Sequence, residues 1–316
     1  MIRTTPPLLL LLILLAIRPA AAQKIIFTPQ WVPQSQFAGY YVAEKEGFYK
    51  EYGIDVEIVH PSASNNAINR LKSGKAHLIT MMLSQALKLK SEGLDIVNVM
   101  QTSQRAALVI VSREPLNGIQ SLNGKKIGRW AAGHDELAQA AIKDNGIQVE
   151  WIPFLSGVNL FLSGAIDATL AMSFNEYYRI LETGHPISKE HEIRLKDIGY
   201  DIPEDGVYTL RSYYETHREE ISKFVYASYK GWRWAEQNKK ACCDLVMEIA
   251  RNAKVPTSRY LQEMMLQDVL ANQIPKGESA PPFFLRKNQF EEAVSLFTKN
   301  GALKVNFSYG DFIVNL

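Results

Sequence analysis

Cysteine is nearly absent from this chain of 316 residues, which contains only Cys242 and Cys243, adjacent in a helical pattern. Adjacent cysteines rarely bridge each other without strain, so the pair argues against a disulfide framework or a redox site and indicates small buried residues. The six histidines are scattered without metal-ligand spacing, and neither a P-loop nor a GxSxG elbow occurs. We therefore expect no metal and no cofactor.

The chain also lacks an excess of charge of either sign. It has 35 basic and 33 acidic residues, and loss of the N-terminal segment that carries Arg3 and Arg18 would leave 33 of each. A balanced charge argues against nucleic acid or another polyanion as the partner. We expect instead a monomer that binds a small molecule.

Long apolar runs are missing except at the N-terminus. Arg3 precedes a run from Leu8 to Ile17 that is too short to span a bilayer, and Ala20-Ala21-Ala22 is a small-residue cleavage pattern. An uncleaved anchor is the alternative. We interpret residues 1–22 as a Sec-type signal peptide, with no cysteine near the cleavage point for lipid attachment, and expect a periplasmic protein.

After this leader, short β-rich runs alternate with helical patterns, which is typical of α/β lobes. Strands are predicted at Lys24–Thr28, Ile54–Val59, His77–Met81, Ile96–Met100, Ala107–Val111, Lys125–Trp130, Val149–Trp151, Ala168–Met172 and Val207–Arg211. Helices are predicted at Phe37–Lys45, Asn66–Lys72, Gln85–Ser91, Glu136–Asp144, Val158–Leu162 and Asn175–Glu182, and then at 217–236, 239–251, 257–271 and 287–298.

Two segments of the chain resemble each other. LKSGKAHLITMMLSQALKLKSEG (71–93) and FLSGAIDATLAMSFNEYYRILETG (161–184) both predict a helix end, a turn, a strand, a polar junction and a second helix. Two copies about ninety residues apart suggest paired lobes rather than a solenoid, although chance similarity is the alternative. The echo makes Ser84-Gln85 equivalent to Asn175-Glu176, just past a strand's carboxyl end, where open α/β sheets bind ligands.

Five blocks in order carry a resemblance to a known family. They are QWVPQSQFAGYYVAEKEGFYKEYGIDVEI, SGKAHL, LNGKKIGRWAAGHDE, GAIDATLAMSFNEY and PEDGVY. This pattern resembles the NMT1/THI5-like group, which are type II periplasmic solute-binding proteins of ABC importers. The match runs from about Lys24 to Trp234.

The resemblance implies an α/β fold of the type II periplasmic binding protein class, with two α/β lobes joined by two crossover strands. On that basis, lobe 1 would comprise residues 23–110 and 208–316, and lobe 2 residues 111–207. It also implies an inner-membrane ABC permease as partner and a ligand that is a thiamine-precursor pyrimidine, riboflavin, or a sulfonate such as taurine. We predict a small aromatic heterocycle, most simply an aminopyrimidine.

A fungal branch of the same group synthesises the thiamine pyrimidine, and the chain departs from it at the reacting residues. By the resemblance, Met81 stands where the synthase has the lysine that carries pyridoxal phosphate, and Gln85 where it has the reacting histidine. Without a lysine no Schiff base forms. We therefore predict a binding protein and not an enzyme.

Aromatic residues near predicted strand ends are the first site candidates. Trp31 follows the first strand and Trp130 follows KKIGR in the second set, so two indoles from opposite lobes would hold a flat ring. Tyr40 is predicted to face the cleft, while Phe37 fits the core and the pocket wall equally well. Core packing is the alternative for Trp31 as well.

Polar residues at the same predicted edges complete the candidate site. Glu176 and Asp205 would accept bonds from the amine and ring N–H of an aminopyrimidine, although a helix-dipole role would equally explain Glu176 and Asp135. His134 and Asp135 lie at a helix start, where free N–H groups would bind a phosphate or a polar ligand group; a surface position is the alternative for His134, and a simple N-cap for Asn175.

Three further residues complete the set. Arg105 would anchor a sulfonate or pair with a carboxylate, so it separates the two ligand classes. Ser84 and Gln85 are hydrogen-bonding candidates from the internal echo alone.

Overall fold

The computed structural model describes residues 24–62, 65–131, 133–299, 301 and 303–314. The predicted leader lies outside these ranges. The strands are β1 (Ile25–Thr28), β2 (Val56–Ile58), β3 (Leu78–Met82), β4 (Ile96–Gln101), β5 (Leu108–Ser112), β6 (Lys126–Trp130), β7 (Glu150–Phe154), β8 (Ala168–Met172), β9 (Glu192–Arg194) and β10 (Asp205–Leu210). The helices are α1 (Ala38–Lys45), α2 (Phe48–Glu51), α3 (Ala67–Lys72), α4 (Leu83–Ser91), α5 (Glu136–Asp144), α6 (Asn159–Leu162), α7 (Glu176–Glu182), α8 (Arg211–Thr216), α9 (Arg218–Gln237), α10 (Lys239–Asn252), α11 (Arg259–Asn272), α12 (Lys287–Lys299) and α13 (Tyr309–Phe312).

The strands form two five-stranded mixed sheets. The first sheet has the order β2-β1-β3-β10-β4, and the second has the order β7-β6-β8-β5-β9. In the first sheet β10 runs antiparallel to its neighbours β3 and β4, and in the second β5 runs antiparallel to β8 and β9. Strands β3 and β8 are buried along their whole length because helices cover both faces of each sheet.

The internal echo of the sequence corresponds to equivalent places in the two sheets. Strand β3 lies between β1 and β10, and β8 lies between β6 and β5. Each is preceded by a short helix and a turn and followed by a helix. The prediction of paired α/β units is therefore confirmed by the strand order.

The chain passes between the sheets twice, through residues 102–107 and back through 195–204. Carboxylates tie the two passages together. The backbone N–H of Ala106 donates to Asp201 Oδ1 at 3.0 Å, and that of Ala107 donates to Glu204 Oε2 at 2.8 Å. These two hydrogen bonds satisfy buried backbone N–H groups and fix the distance between the two passages.

Helices α1 and α9 pack so closely that their backbones are in contact at two glycines. A Cβ on Gly39 would lie 2.2 Å from the Trp232 ring, and one on Gly231 would lie 2.0 Å from the Gly39 carbonyl oxygen. Glycine at both positions is therefore required by contact. The close approach buries the aromatic side chains of α1 between the first sheet and α9.

The cysteines behave as the sequence predicts, because both are buried free thiols on α10. None of the helices in the described ranges is both long and apolar enough to cross a membrane.

Candidate functional site

The carboxyl ends of parallel strands from both sheets border one narrow cavity. Trp31 lies just beyond β1, Met82 ends β3, Trp130 ends β6 and Met172 ends β8. We call this space the aromatic compartment; its walls are Gln30, Trp31, Gln34, Gln36, Met82, Trp130, His134, Met172, Phe174, Asn175 and Glu176. Its position matches the strand-end crevices where α/β sheets bind ligands.

Two indoles and an imidazole form the aromatic wall. The His134 ring meets Trp31 edge-on at 6.0 Å between centroids and Trp130 edge-on at 6.5 Å. His134 has a positive φ of 74°, uncommon for a residue other than glycine, and lines the compartment. Burial lowers the pKa of His134 to about 4, so its ring is neutral at physiological pH.

Glu176 holds one of the indoles in place. Its Oε1 accepts bonds from Trp130 Nε1 at 3.3 Å and Asn175 Nδ2 at 2.9 Å, and its Oε2 accepts from the backbone N–H of Met172 at 3.0 Å. The side chain is buried, and this burial raises its pKa. Glu176 therefore orients Trp130 and also lines the compartment itself.

Three glutamines after β1 form a string of amides that ends at Asp205. Gln34 Nε2 donates to Gln36 Oε1, Gln36 Nε2 donates to Asp205 Oδ2, and Gln30 Nε2 donates to Asp205 Oδ1 at 2.7 Å. The Gln30 Oε1 atom is buried and accepts no hydrogen bond from the described residues. Because Gln30 also lines the compartment, this amide oxygen is a candidate acceptor for a ligand N–H.

A second small cavity adjoins the first. We call it the polar compartment; it shares Gln36 and Phe174 with the aromatic compartment and is completed by Thr102, Ser103, Ala107, Glu204, Asp205, Trp232, Val269, Asn272 and Gln273. Burial raises the pKa of Glu204 to about 8 and that of Asp205 to about 6. Neither cavity has a lysine or arginine among its described lining residues.

Arg105 and Asp135, both predicted near the site, are each engaged in an ion pair. Arg105 pairs with Asp201 through Nε and Nη2, at 3.1 and 3.0 Å, and lines neither compartment. Asp135 accepts bonds from Arg129 and Gln139, both at 2.8 Å, and also lies outside the walls. Of the two roles predicted for Arg105, the structure therefore has the carboxylate pair.

Tyr40 and Phe37 lie in the core rather than at the wall. Tyr40 is 1% exposed, and its ring packs against Phe27, Phe224 and Trp232. Phe37 is also 1% exposed. The prediction of a cleft-facing Tyr40 needs correction, because the close packing of α1 on α9 turns this face of the helix inward.

Ser84 and Gln85 lie away from both compartments and against the second sheet's helix α5. Ser84 Oγ donates to Glu136 Oε2 at 3.2 Å, and the Gln85 amide lies beside Gly133. Helix α4 begins directly after β3, whereas three residues separate β8 from α7. That difference turns Asn175 and Glu176 into the cavity and turns their sequence equivalents aside.

The structure thus brings together Trp31, Trp130, His134, Asn175 and Glu176, with Asp205 at the neighbouring compartment. The sequence reasoning missed Met82 and Met172, which occupy matching strand ends and which the internal echo aligns. It also missed Gln30, Gln34 and Gln36. The sequence feature that could have identified them is the occurrence of three amide side chains within seven residues directly after a strand. Glu204 and Trp232 gave no comparable signal. Within the residues that the structure describes, no group of His, Cys, Asp and Glu side chains is arranged to hold a metal ion.

Comparisons with known proteins agree on one family and one fold. The family model described as NMT1/THI5 like matches residues 34–241. A formylaminopyrimidine-binding protein of Halalkalibacterium halodurans is 24% identical over 252 residues, covering 76% of this chain and 74% of the relative. A riboflavin-binding protein of Chloroflexus aurantiacus is 23% identical and covers 87% and 82%.

A pyrimidine phosphate synthase of Saccharomyces cerevisiae is also similar, at 23% identity, but it covers only 55% of each chain.

Among solved structures, the ligand-binding component of an ABC-type import system from Staphylococcus aureus has a TM-score of 0.67 at 15% identity, covering 92% of this chain and 96% of that one. The periplasmic aliphatic sulphonate-binding protein of Escherichia coli has a TM-score of 0.65 at 15% identity, covering 92% of each. Likenesses this distant in sequence show the fold, and the predicted periplasmic binding protein fold is confirmed.

Proposed function

The chain belongs to the NMT1/THI5-like family, and from this premise we propose that it is the solute-binding protein of an ABC importer, carrying a small aromatic heterocycle of the aminopyrimidine class. One observation supports this most: Trp31 and Trp130 come from different sheets and line the same strand-end cavity. A flat ring is the ligand shape that two indoles recognise best. The formylaminopyrimidine-binding relative supports the same class.

The binding mechanism needs no chemical step. The ring packs against the indoles and the two strand-end methionines, while the free Gln30 oxygen accepts a bond from an exocyclic amine or ring N–H. Glu176 keeps the Trp130 indole oriented. Affinity comes from contacts that both sheets make with the ligand at once.

An anion such as a sulfonate is the weaker candidate. Neither compartment has a cationic side chain among its described lining residues, and Arg105 is already paired with Asp201. An unpaired anion transferred to such a cavity would lose its hydration without compensation. Riboflavin remains an alternative because one relative binds it.

We also propose that the protein is not an enzyme, despite its similarity to pyrimidine synthases. Met81, at the position that the resemblance gives to the cofactor-bearing lysine, is a buried core residue of β3. A thioether forms no Schiff base. Export by the segment 1–22, monomeric behaviour and delivery to a membrane permease belong to the same proposal.

Calorimetric titration with a formylaminopyrimidine, riboflavin and an alkanesulfonate tests the proposal. We expect the pyrimidine to bind and Trp130→Ala to weaken it by about 10- to 100-fold, because an indole contact is worth about 1 kcal/mol beyond its buried area. Trp151→Ala, a partly buried tryptophan of β7 outside both compartments, is the matched control. Binding of the sulfonate alone would reject the heterocycle proposal.

A further inference from the structure

The backbone stretch 31–34, shortly after β1, supplies two walls of the aromatic compartment, the side chains of Trp31 and Gln34. It forms neither helix nor strand, so its polar groups need partners other than a helical or sheet ladder. Strand β2 pairs with β1 in parallel, and His60 follows β2 by two residues. The imidazole of His60 is therefore at the sheet edge where this stretch begins.

His60 holds the first residue of the stretch. Its Nδ1 lies 2.7 Å from the carbonyl oxygen of Trp31. A carbonyl oxygen only accepts, so the ring proton is on Nδ1 and donates to Trp31. Burial lowers the pKa of His60, which keeps the imidazole neutral at physiological pH and leaves Nε2 as an acceptor.

Tyr41, on α1, continues the chain of hydrogen bonds. Its hydroxyl lies 3.0 Å from His60 Nε2 and therefore donates to it. The same hydroxyl has a backbone hydrogen bond with Gln34, in which its oxygen accepts. The Tyr41 side chain is buried, and its ring packs on the His60 ring at 5.8 Å between centroids. Two side chains thus hold both ends of the stretch, at the Trp31 carbonyl and at the Gln34 N–H.

Neither His60 nor Tyr41 lines the aromatic or the polar compartment, so each would act on a ligand only through the residues that it holds. We propose that His60 and Tyr41 are positioning residues, which fix the stretch 31–34 so that the Trp31 indole forms its wall of the ring site before a ligand arrives. A wall that is already fixed loses less conformational freedom on binding. This inference rests on the proposed function and deepens it by naming groups that prepare the site.

Two substitutions at His60 separate its donor from its acceptor. In His60→Asn the amide nitrogen is two bonds beyond Cβ, as Nδ1 is, so it can still donate to Trp31. In His60→Gln the amide is three bonds beyond Cβ, as Nε2 is, so the bond with Tyr41 can form and the bond to Trp31 is lost. By calorimetry with a formylaminopyrimidine, we expect His60→Gln to weaken binding about 5-fold, the effect of one hydrogen bond, and His60→Asn to stay within about 2-fold of the native protein.

Fluorine NMR of the ligand-free protein, labelled with 5-fluorotryptophan, reports on Trp31 directly. Trp31→Phe assigns its resonance. We expect this resonance to shift or broaden in His60→Gln and in Tyr41→Phe and to keep its native position in His60→Asn, while the Trp151 resonance stays the same in all three. His185→Gln, the same change at a histidine that lines neither compartment, is the control and should leave both affinity and spectrum unchanged.

The two measurements separate this inference from the proposed function. A native protein that does not bind the pyrimidine would reject the heterocycle function, and the Trp31 resonance would still decide the positioning role. A folded His60→Gln protein with native affinity and a native Trp31 resonance would overturn that role, as would a His60→Asn protein weakened as much as His60→Gln. If His60→Gln does not fold, Tyr41→Phe, which loses only one oxygen atom, replaces it, and a native Trp31 resonance in that variant would overturn the role.

Discussion

At the residue scale, Glu176 fixes the orientation of the Trp130 indole. Its two carboxylate oxygens accept three hydrogen bonds, one of them from Trp130. Glu176→Gln would place an amide N–H against at least one of these donors. We expect the free energy of unfolding to fall by about 1–3 kcal/mol, together with weaker heterocycle binding, since Trp130 loses its fixed orientation. Urea denaturation and calorimetry measure the two effects.

The exposed Glu114 provides the matched control. Glu114→Gln should change the stability by less than about 0.5 kcal/mol. A Glu176→Gln protein as stable as the native one would show that the carboxylate is not needed as a triple acceptor.

The raised pKa of Glu204 leads us to expect that the stability of the protein depends on pH. Its folded-state pKa of about 8 lies above the ordinary 4.5, so between these values the unfolded chain releases a proton that the folded chain keeps. Stability from this group is therefore fully present below pH 4.5 and is lost as the pH rises toward 8. The total loss is on the order of 5 kcal/mol.

The groups around Glu204 define the control. Asp205 and Asp201 face it, Arg105 pairs with Asp201, and the Tyr40 hydroxyl lies in the same region. Burial also raises the pKa of Asp205, to about 6, so it contributes with the same sign. Denaturation of native and Glu204→Gln protein from pH 5 to 8 isolates Glu204. A pH slope that is equal in the two proteins would contradict a protonated acid at this position.

Residue types at strand ends were predictable, but their orientations were not. Trp31, Trp130 and Glu176 could be placed from the position that each holds after or beside a strand. Tyr40 could not, because its direction depends on how closely α9, distant in sequence, approaches α1. The sequence favoured Asp205 over its neighbour Glu204 as a site residue. The first residue of the strand was not known from the sequence, so the alternation of side chains could not show which of the two faces a cavity.

At the element scale, the contact between α1 and α9 depends on two glycines. Gly231→Ala would put a methyl group 2.0 Å from the Gly39 carbonyl oxygen, a backbone atom that cannot move aside alone. We expect a loss of at least about 3 kcal/mol in the free energy of unfolding, because the helices must separate or shift. Thermal and urea denaturation measure this loss.

Gly310→Ala is the control for this change. Gly310 lies in α13, and an added Cβ would meet only Ser308 Oγ, at 3.8 Å. Its stability should match the native protein within about 0.5 kcal/mol. Equal stability of the two variants would show that α9 can yield at Gly231.

The spacing of apolar residues and the glycines at helix ends predicted the positions of most elements closely. Helix α5 and strand β8 have the predicted bounds, and α9 to α12 lie within two residues of theirs. The short elements β9, α8 and α13 were missed, because three to six residues carry too little periodicity to register. The lobe boundaries at residues 110 and 207 remain predictions.

At the scale of the whole molecule, two side-chain hydrogen bonds connect a helix that follows a strand of one sheet with a helix on the other, at two places that we call the rims. On one rim Ser84 of α4 donates to Glu136 of α5, at 3.2 Å. On the other, the Tyr178 hydroxyl of α7 donates to Asp268 of α11, also at 3.2 Å. We expect a ligand bound between the sheets to be released when they separate at a rim, so these bonds should affect the dissociation rate more than the association rate.

Tyr178→Phe removes one rim bond without changing the ring. We expect the dissociation rate of the bound pyrimidine to rise about 5-fold, with the association rate nearly constant, because one hydrogen bond contributes about 1 kcal/mol. Stopped-flow indole fluorescence measures both rates. Tyr226→Phe, on an exposed part of α9, is the control.

Because the two rims are separate, the increases in dissociation rate caused by Ser84→Ala and by Tyr178→Phe should multiply in the double variant. A double variant no faster than either single one would mean that one rim alone admits the ligand.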